Sequence, residues 1–178
     1  MLTRRRFLYA GGAAAGMAVV VGADGFVESD QVEVKRVDIP LAIPEDFDGF
    51  TIAQLSDFHY EDHFSVVPLR KAVDLVGGLR PDLIALTGDF VSVSIMDFNS
   101  HRAKLSARNA EPCAELLSAL QAPAGKFAVL GNHDGASDPA RIVSTLHGHG
   151  IPVLMNRAVP LERGPSRIWI AGIDDVLE

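Results

Sequence analysis

Three times along this chain a short apolar run stops abruptly in a knot of polar residues. Phe50-Thr51-Ile52-Ala53-Gln54-Leu55 runs into Ser56-Asp57-Phe58-His59, Leu83-Ile84-Ala85-Leu86 into Thr87-Gly88-Asp89, and Phe127-Ala128-Val129-Leu130 into Gly131-Asn132-His133-Asp134. Helix-like stretches lie between these strand-length runs. Val66 to Leu79 places Val66, Leu69, Val73 and Val76 at three- and four-residue spacing, and Ala110 to Leu120 does the same with Ala114, Leu117 and Leu120. Asp138-Pro139 opens a further helix, with Asp as cap and Pro in the first turn, running to about His147. Gly150 to Leu154 and Arg167 to Ala171 read as two more strands. Strands alternating with helices imply parallel pairing and a layered α/β architecture. In such sheets ligands gather beyond the carboxyl ends of the strands, and all three polar knots fall there.

The rest of the chain is organised around this repeat of strand and helix. Gln31 to Ile39 alternates through Val32, Val34, Val37 and Ile39, which predicts an edge or half-buried strand. Pro40, Pro44 and Asp48-Gly49 mark a loop after it. Ser92 to Asn109 is polar and irregular and reads as a long loop on the side of the knots. The 178 residues suit one domain, and 48% hydrophobic with 22% charged residues is ordinary for a globular protein.

The first residues are an address rather than part of the fold. Thr3-Arg4-Arg5-Arg6-Phe7-Leu8 precedes 17 uncharged residues, Phe7 to Ala23, diluted by Gly11, Gly12, Gly16 and Gly22. A basic segment ahead of a modest apolar run reads as a secretory signal. The alternative is an N-terminal membrane helix, since the run sits at the short edge of the ~17–25 residues that span a bilayer. The Arg4-Arg5 pair resembles the twin-arginine motif, which implies engagement of an export translocon by an already folded protein. Residues 1–23 are therefore assigned to the signal, 24–30 to a linker and 31–178 to the domain. Without residues 1–23 the net charge moves from −7 to −10, because Arg4, Arg5 and Arg6 leave with them. That balance offers no broad attraction for nucleic acid or anionic lipid. Cys113 is the one cysteine, so no internal disulfide can form.

Each polar knot alone carries little information, since Asp-x-His and Gly-Asp recur by chance. Their shared order and strand-end placement make them one site. Carboxylate oxygen, imidazole nitrogen and amide oxygen form a mixed hard and borderline donor set that suits Mn²⁺, Fe or Zn²⁺. A carboxylate on a central strand, such as Asp89, can bridge two ions ~3.5–4 Å apart, the spacing common in phosphoryl transfer. Gly88 and Gly131 permit the sharp turns and close approach such ligands require.

The three motifs resemble those of the calcineurin-like metallophosphoesterases, and Val32 to Asp175 is most similar to the exported, twin-arginine-secreted phosphodiesterase branch. Ile52 to His59 and Val129 to Asp134 carry most of the resemblance, and Ala171-Gly172-Ile173-Asp174-Asp175 matches a late strand of that branch. The resemblance implies a sandwich of mixed sheets flanked by helices and a metal-dependent hydrolase of phosphoric esters. It implies Asp57 and His59 on a first divalent ion, Asp89 shared by two, and Asn132 on the second. His133 would protonate the leaving oxygen, Asp134 would orient His133, and a hydroxide activated by the two ions would attack phosphorus. The substrates implied are phosphodiesters or lipid-linked phosphates at a membrane surface.

The family also uses later histidines, one after the strand ending here near Asp174 and two in a Gly-His-x-His motif. Their absence predicts that these residues are the N-terminal part of the domain, with an inactive metal-binding fragment as the alternative. His147-Gly148-His149 is no substitute, because it falls at a helix end rather than a strand end. His63 and His101 read as solvated loop residues on the site side.

Overall fold

Leu83–Leu86, the most apolar of the short runs, is the central strand of the computed structural model, which describes residues 32–61, 65–98 and 100–174. The twin-arginine segment, the linker, Gln31, His63 and Asp175 lie outside the described residues. Strand β1 (Ile52–Leu55) pairs with β2 (Leu83–Leu86) in parallel, and β2 pairs with β3 (Lys126–Ala128) in parallel, giving the order β1-β2-β3. The register sets Leu55 opposite Leu86 and Leu86 opposite Ala128. The three strands therefore end at one level, which brings the three polar knots together.

Alternation along β2 divides the core. Ile84 and Leu86 face helices α1 (Val66–Leu79), α3 (Ala110–Ser118) and α5 (Pro139–Gly148), joining Leu69, Val76, Leu117, Ile142 and Leu146 in one apolar cluster. Leu83 points the other way and packs with Phe47 and Leu161, against which Phe50, Phe127, Ile168 and Ile170 also lie. That second layer is a hairpin of β4 (Arg157–Arg163) and β5 (Ser166–Gly172), antiparallel, with Pro160 opposite Trp169. The result is a layered α/β sandwich of helices, parallel sheet and hairpin. Lys126 fastens helix to sheet: its ammonium donates to the carbonyls of Leu117, Ser118 and Leu120 at 2.8–3.2 Å, satisfying orphan acceptors at the end of α3.

Several expectations are corrected. The alternating stretch ending at Ile39 forms no strand over its described residues 32–39. Val34, Val37 and Ile39 are exposed there, so the apolar alternation has no partner strand to bury it. Gly150 to Leu154 adds only an isolated parallel bridge, Ala128 to Val153, instead of a full strand. The polar stretch 92–109 is mostly helical, with α2 at His101–Ser106 followed by a tight helical turn, Ala107–Asn109. Ser100 caps α2 by accepting from the amides of Arg102 and Ala103. Ala103, Ala107 and Ala110 then bury a face too small-featured to register as hydrophobic periodicity. Arg157–Arg163 was not foreseen as a strand, because its charges and Pro160 mark it as non-strand unless it lies at an edge. Among the described residues no helix is long and apolar enough to cross a membrane.

Candidate metal centre

Past the ends of the parallel strands the backbone leaves ordinary conformations. Asp57, His59 and Asp89 have φ of 55°, 39° and 57°, and Gly88 has φ of 94°. Left-handed backbone at non-glycine residues is uncommon, is tolerated best by Asp, Asn and His, and concentrates at functional sites. The strain is held by bonds between neighbouring strand ends. The amide of Asp57 donates to Gly88 O at 3.1 Å, that of His59 to Asp89 O at 2.8 Å, and that of Tyr60 to Phe90 O at 3.1 Å. Phe58 stacks on Phe90 with ring centroids 5.2 Å apart. Ser65 braces the loop from α1, donating to His59 O and accepting from the Glu61 amide.

The third knot sits equally close to the second. A Cβ at Gly88 would lie 2.3 Å from the Gly131 nitrogen, and one at Gly131 would lie 2.3 Å from Asp89 Oδ1. Only glycine at both positions allows this approach. Asp89 is buried, and its Oδ1 accepts from the His133 amide at 2.9 Å. Its Oδ2 lies 3.6 Å from His59 Nε2, which in turn lies 3.7 Å from Asp57 Oδ1. The rings of His59 and His133 meet edge to face with centroids 4.4 Å apart. One donor atom each from His59, Asp89 and His133 falls within 4.8 Å of the others, a grouping that fits a metal ion. One carboxylate and two imidazoles suit a borderline divalent cation.

The structure thus gathers Asp57, His59, Asp89 and His133. Asn132 is the first residue of α4 (Asn132–Ala136), half-buried beside His133. His133, expected from the sequence to be a proton donor, stands among the potential ligands. Its Nδ1 accepts from the Val93 amide at 2.9 Å, and the Phe98 ring lies edge-on at 5.3 Å. With Nδ1 engaged by the Val93 amide, Nε2 is the ring nitrogen left to face the donor grouping. Neither Val93 nor Phe98 was foreseen. A backbone amide leaves no trace in residue identity, and the only available signal was an aromatic residue in an otherwise polar segment.

Asp134 departs from the role expected of it. Its carboxylate does not orient the His133 ring. Instead it is fully buried and accepts from the amides of Gly131 at 3.0 Å and Val91 at 3.2 Å. Burial pushes its pKa up to about 6, against the opposing effect of the Gly131, Phe90 and Val91 amides, with the Asp89 charge adding to the rise. His147 accepts from the Val153 amide through Nε2, and His149 contacts Glu111 at 2.9 Å. His101 opens α2 and is exposed, rather than lying in a loop.

A family model, the calcineurin-like phosphoesterases, matches residues 50–171, a span that holds all three strand-end knots. The chain belongs to this family. It is 33% identical to the metallophosphoesterase YkuE of Bacillus subtilis over 99% of its own length and 61% of that protein's. It is 29% identical to the phosphodiesterase YaeI of Escherichia coli over 99% of its length and 62% of that protein's. It is 32% identical to the UDP-2,3-diacylglucosamine pyrophosphatase LpxG of Chlamydia muridarum over 80% of its length and 40% of that protein's. The chain therefore spans about six-tenths or less of these relatives. No solved structure matches it significantly. The family uses divalent metals, and the His59, Asp89 and His133 donors fit that requirement.

Proposed function

We propose that this chain carries the metal-binding core of an exported, two-metal phosphoester hydrolase acting on phosphodiesters or lipid-linked phosphates. The observation that carries the reading is the meeting of Asp57, His59, Asp89 and His133 at the ends of adjacent strands. The family match supports phosphoester hydrolysis in general. The phosphodiesterase and pyrophosphatase names of two relatives favour a phosphorus linked on two sides.

In this reading Asp57 and His59 hold one ion, Asp89 is shared, and Asn132 holds the second. When bound, such ions polarise phosphoryl oxygens and acidify water at neutral pH. The protein's own residues do the rest. Asp89, with Oδ1 held by the His133 amide, presents Oδ2 to the ligand group in a fixed direction. His133, with Nδ1 occupied by Val93, offers its Nε2 proton to a leaving oxygen, and Phe98 limits rotation of the ring. The Asp57 side chain is 69% exposed and stands outside the His59, Asp89 and His133 grouping, which leaves a second reading in which the chain binds metal without turnover.

The test combines elemental analysis with two substrates in the full chain. Asp89→Ala should release at least one metal and abolish activity, because ions sharing its charge would then repel each other more strongly. His133→Ala should slow esters with poor leaving groups by about 10²–10⁴ and activated nitrophenyl esters less. Equal losses on both substrates would make His133 a ligand or structural residue. Metal binding without turnover in the wild type would establish the second reading. Export by the twin-arginine route is supported by Arg4-Arg5 ahead of the glycine-diluted apolar run.

A further inference from the structure

Asp134 is the one acidic side chain among the described residues with no measurable exposure, and it is neither paired with a cation nor in contact with the His133 ring by hydrogen bond. A buried carboxylate without a cation is costly unless its oxygens are satisfied by strong donors. Its two oxygens reach two different loops. Oδ2 takes the Gly131 amide, in the turn after β3, and Oδ1 takes the Val91 amide, in the segment after β2. Asp89 makes the reciprocal link, from the segment after β2 to the His133 amide after β3. Val93, two residues beyond Val91, donates to the His133 ring. The Asp89–Val93 segment and the Gly131–Asp134 turn are thus sewn together by bonds running in both directions, with Asp134 as the buried stitch.

We propose that Asp134 is a positioning residue that clamps the β2 and β3 ends to each other and so sets the separation of Asp89 from His133. It acts through backbone amides rather than through the imidazole. The proposal rests on the metal-centre reading for its consequence but not for its geometry, and its test separates the two.

Asp134→Asn keeps the shape but accepts at one oxygen only, turning its amide group toward a backbone N–H. Amide hydrogen exchange on the metal-free full chain is the first readout. The clamp predicts faster exchange at Gly131 and Val91, and also at His133 and Val93, whose bonds do not involve Asp134. Leu161→Val, which loosens the apolar cluster on the opposite face of the sheet, is the stability control and should leave those amides protected relative to global unfolding. The second readout is Mn²⁺ binding by calorimetry, where D134N should weaken affinity at least tenfold and L161V should not. Unchanged protection at His133 and Val93 in D134N would overturn the clamp. Mn²⁺ affinity equal to wild type would overturn its bearing on the site. A wild type that binds no Mn²⁺ would count against the metal reading alone, leaving the exchange result to decide the clamp.

Discussion

Gly131→Ala isolates steric closeness from backbone strain. Gly131 has φ −105° and ψ 179°, an extended conformation that alanine adopts freely. Its added methyl would lie 2.3 Å from Asp89 Oδ1, 2.7 Å from Asp89 N and 2.8 Å from Asp89 Cγ, where ordinary contact begins near 3.4 Å. Something must therefore yield by roughly an ångström, and the nearest atoms are a backbone nitrogen and a carboxylate already fixed by the His133 amide. Overpacking of this kind costs about 1–3 kcal/mol. Loss of the bond from the His133 amide to a charged oxygen adds about 1.5–3 kcal/mol, though the two effects overlap. The net expectation is about 2–4 kcal/mol of destabilisation by urea unfolding in chelator, with Mn²⁺ affinity lowered because Asp89 is displaced. Gly78→Ala supplies the contrast. Its Cβ meets nothing within 4 Å on helix α1, so it should stabilise by about 0.5–1 kcal/mol through helix propensity. A G131A protein within about 0.5 kcal/mol of wild type, with Mn²⁺ affinity intact, would refute the claim that the strand ends are in contact at this distance.

Two further outcomes follow from other features. With the carboxyl of Asp134 raised from 3.8 to about 6, the metal-free native state holds a proton that the unfolded chain releases, so stability falls as pH rises through that window. The fall is at most about 3 kcal/mol, and the difference between wild-type and D134N unfolding curves measured from pH 4 to 7 in chelator should show it; parallel curves would refute it. Replacing Arg4 and Arg5 with lysine should block export of a folded reporter fused after Ala23, and continued export at wild-type level would refute the twin-arginine assignment.

Much of this architecture was legible because two of its signals are strong on their own. Val66–Leu79 and Leu83–Leu86 appear within the bounds read from apolar spacing, and the parallel pairing of β1, β2 and β3 follows from strand and helix alternation. What escaped notice was decided by neighbours rather than by local pattern. The alternating residues Val34, Val37 and Ile39 carry the period of a strand, yet a strand exists only where another supplies hydrogen bonds. Arg157–Arg163 carries the opposite message, with Pro160 inside it, yet pairs fully with Ser166–Gly172 across the turn at Gly164-Pro165. Helix α2 buries alanines, whose small side chains leave little amphipathic contrast.

The same distinction explains the site. Residue types at strand ends pointed to candidate donors, because Asp, His and Asn carry metal-binding atoms, and glycine at 88 and 131 lets two strand ends touch. Their arrangement lies in bonds that residue types do not encode. The Val93 amide selects the imidazole nitrogen that His133 presents, and backbone bonds from Asp57 and His59 to Gly88 and Asp89 hold the left-handed turns in place. Asp134 shows the consequence most directly. Placed beside His133 in sequence, it reads as that residue's partner, but adjacent residues on a helix point in different directions. With His133 at the cluster and Asp134 turned inward, the acid reaches the amides beneath instead of the ring beside it. His133 thus faces the donor grouping while Asp134 faces the backbone, and the left-handed turns at Asp57, His59 and Asp89 are held by backbone bonds between strand ends rather than by the donor side chains.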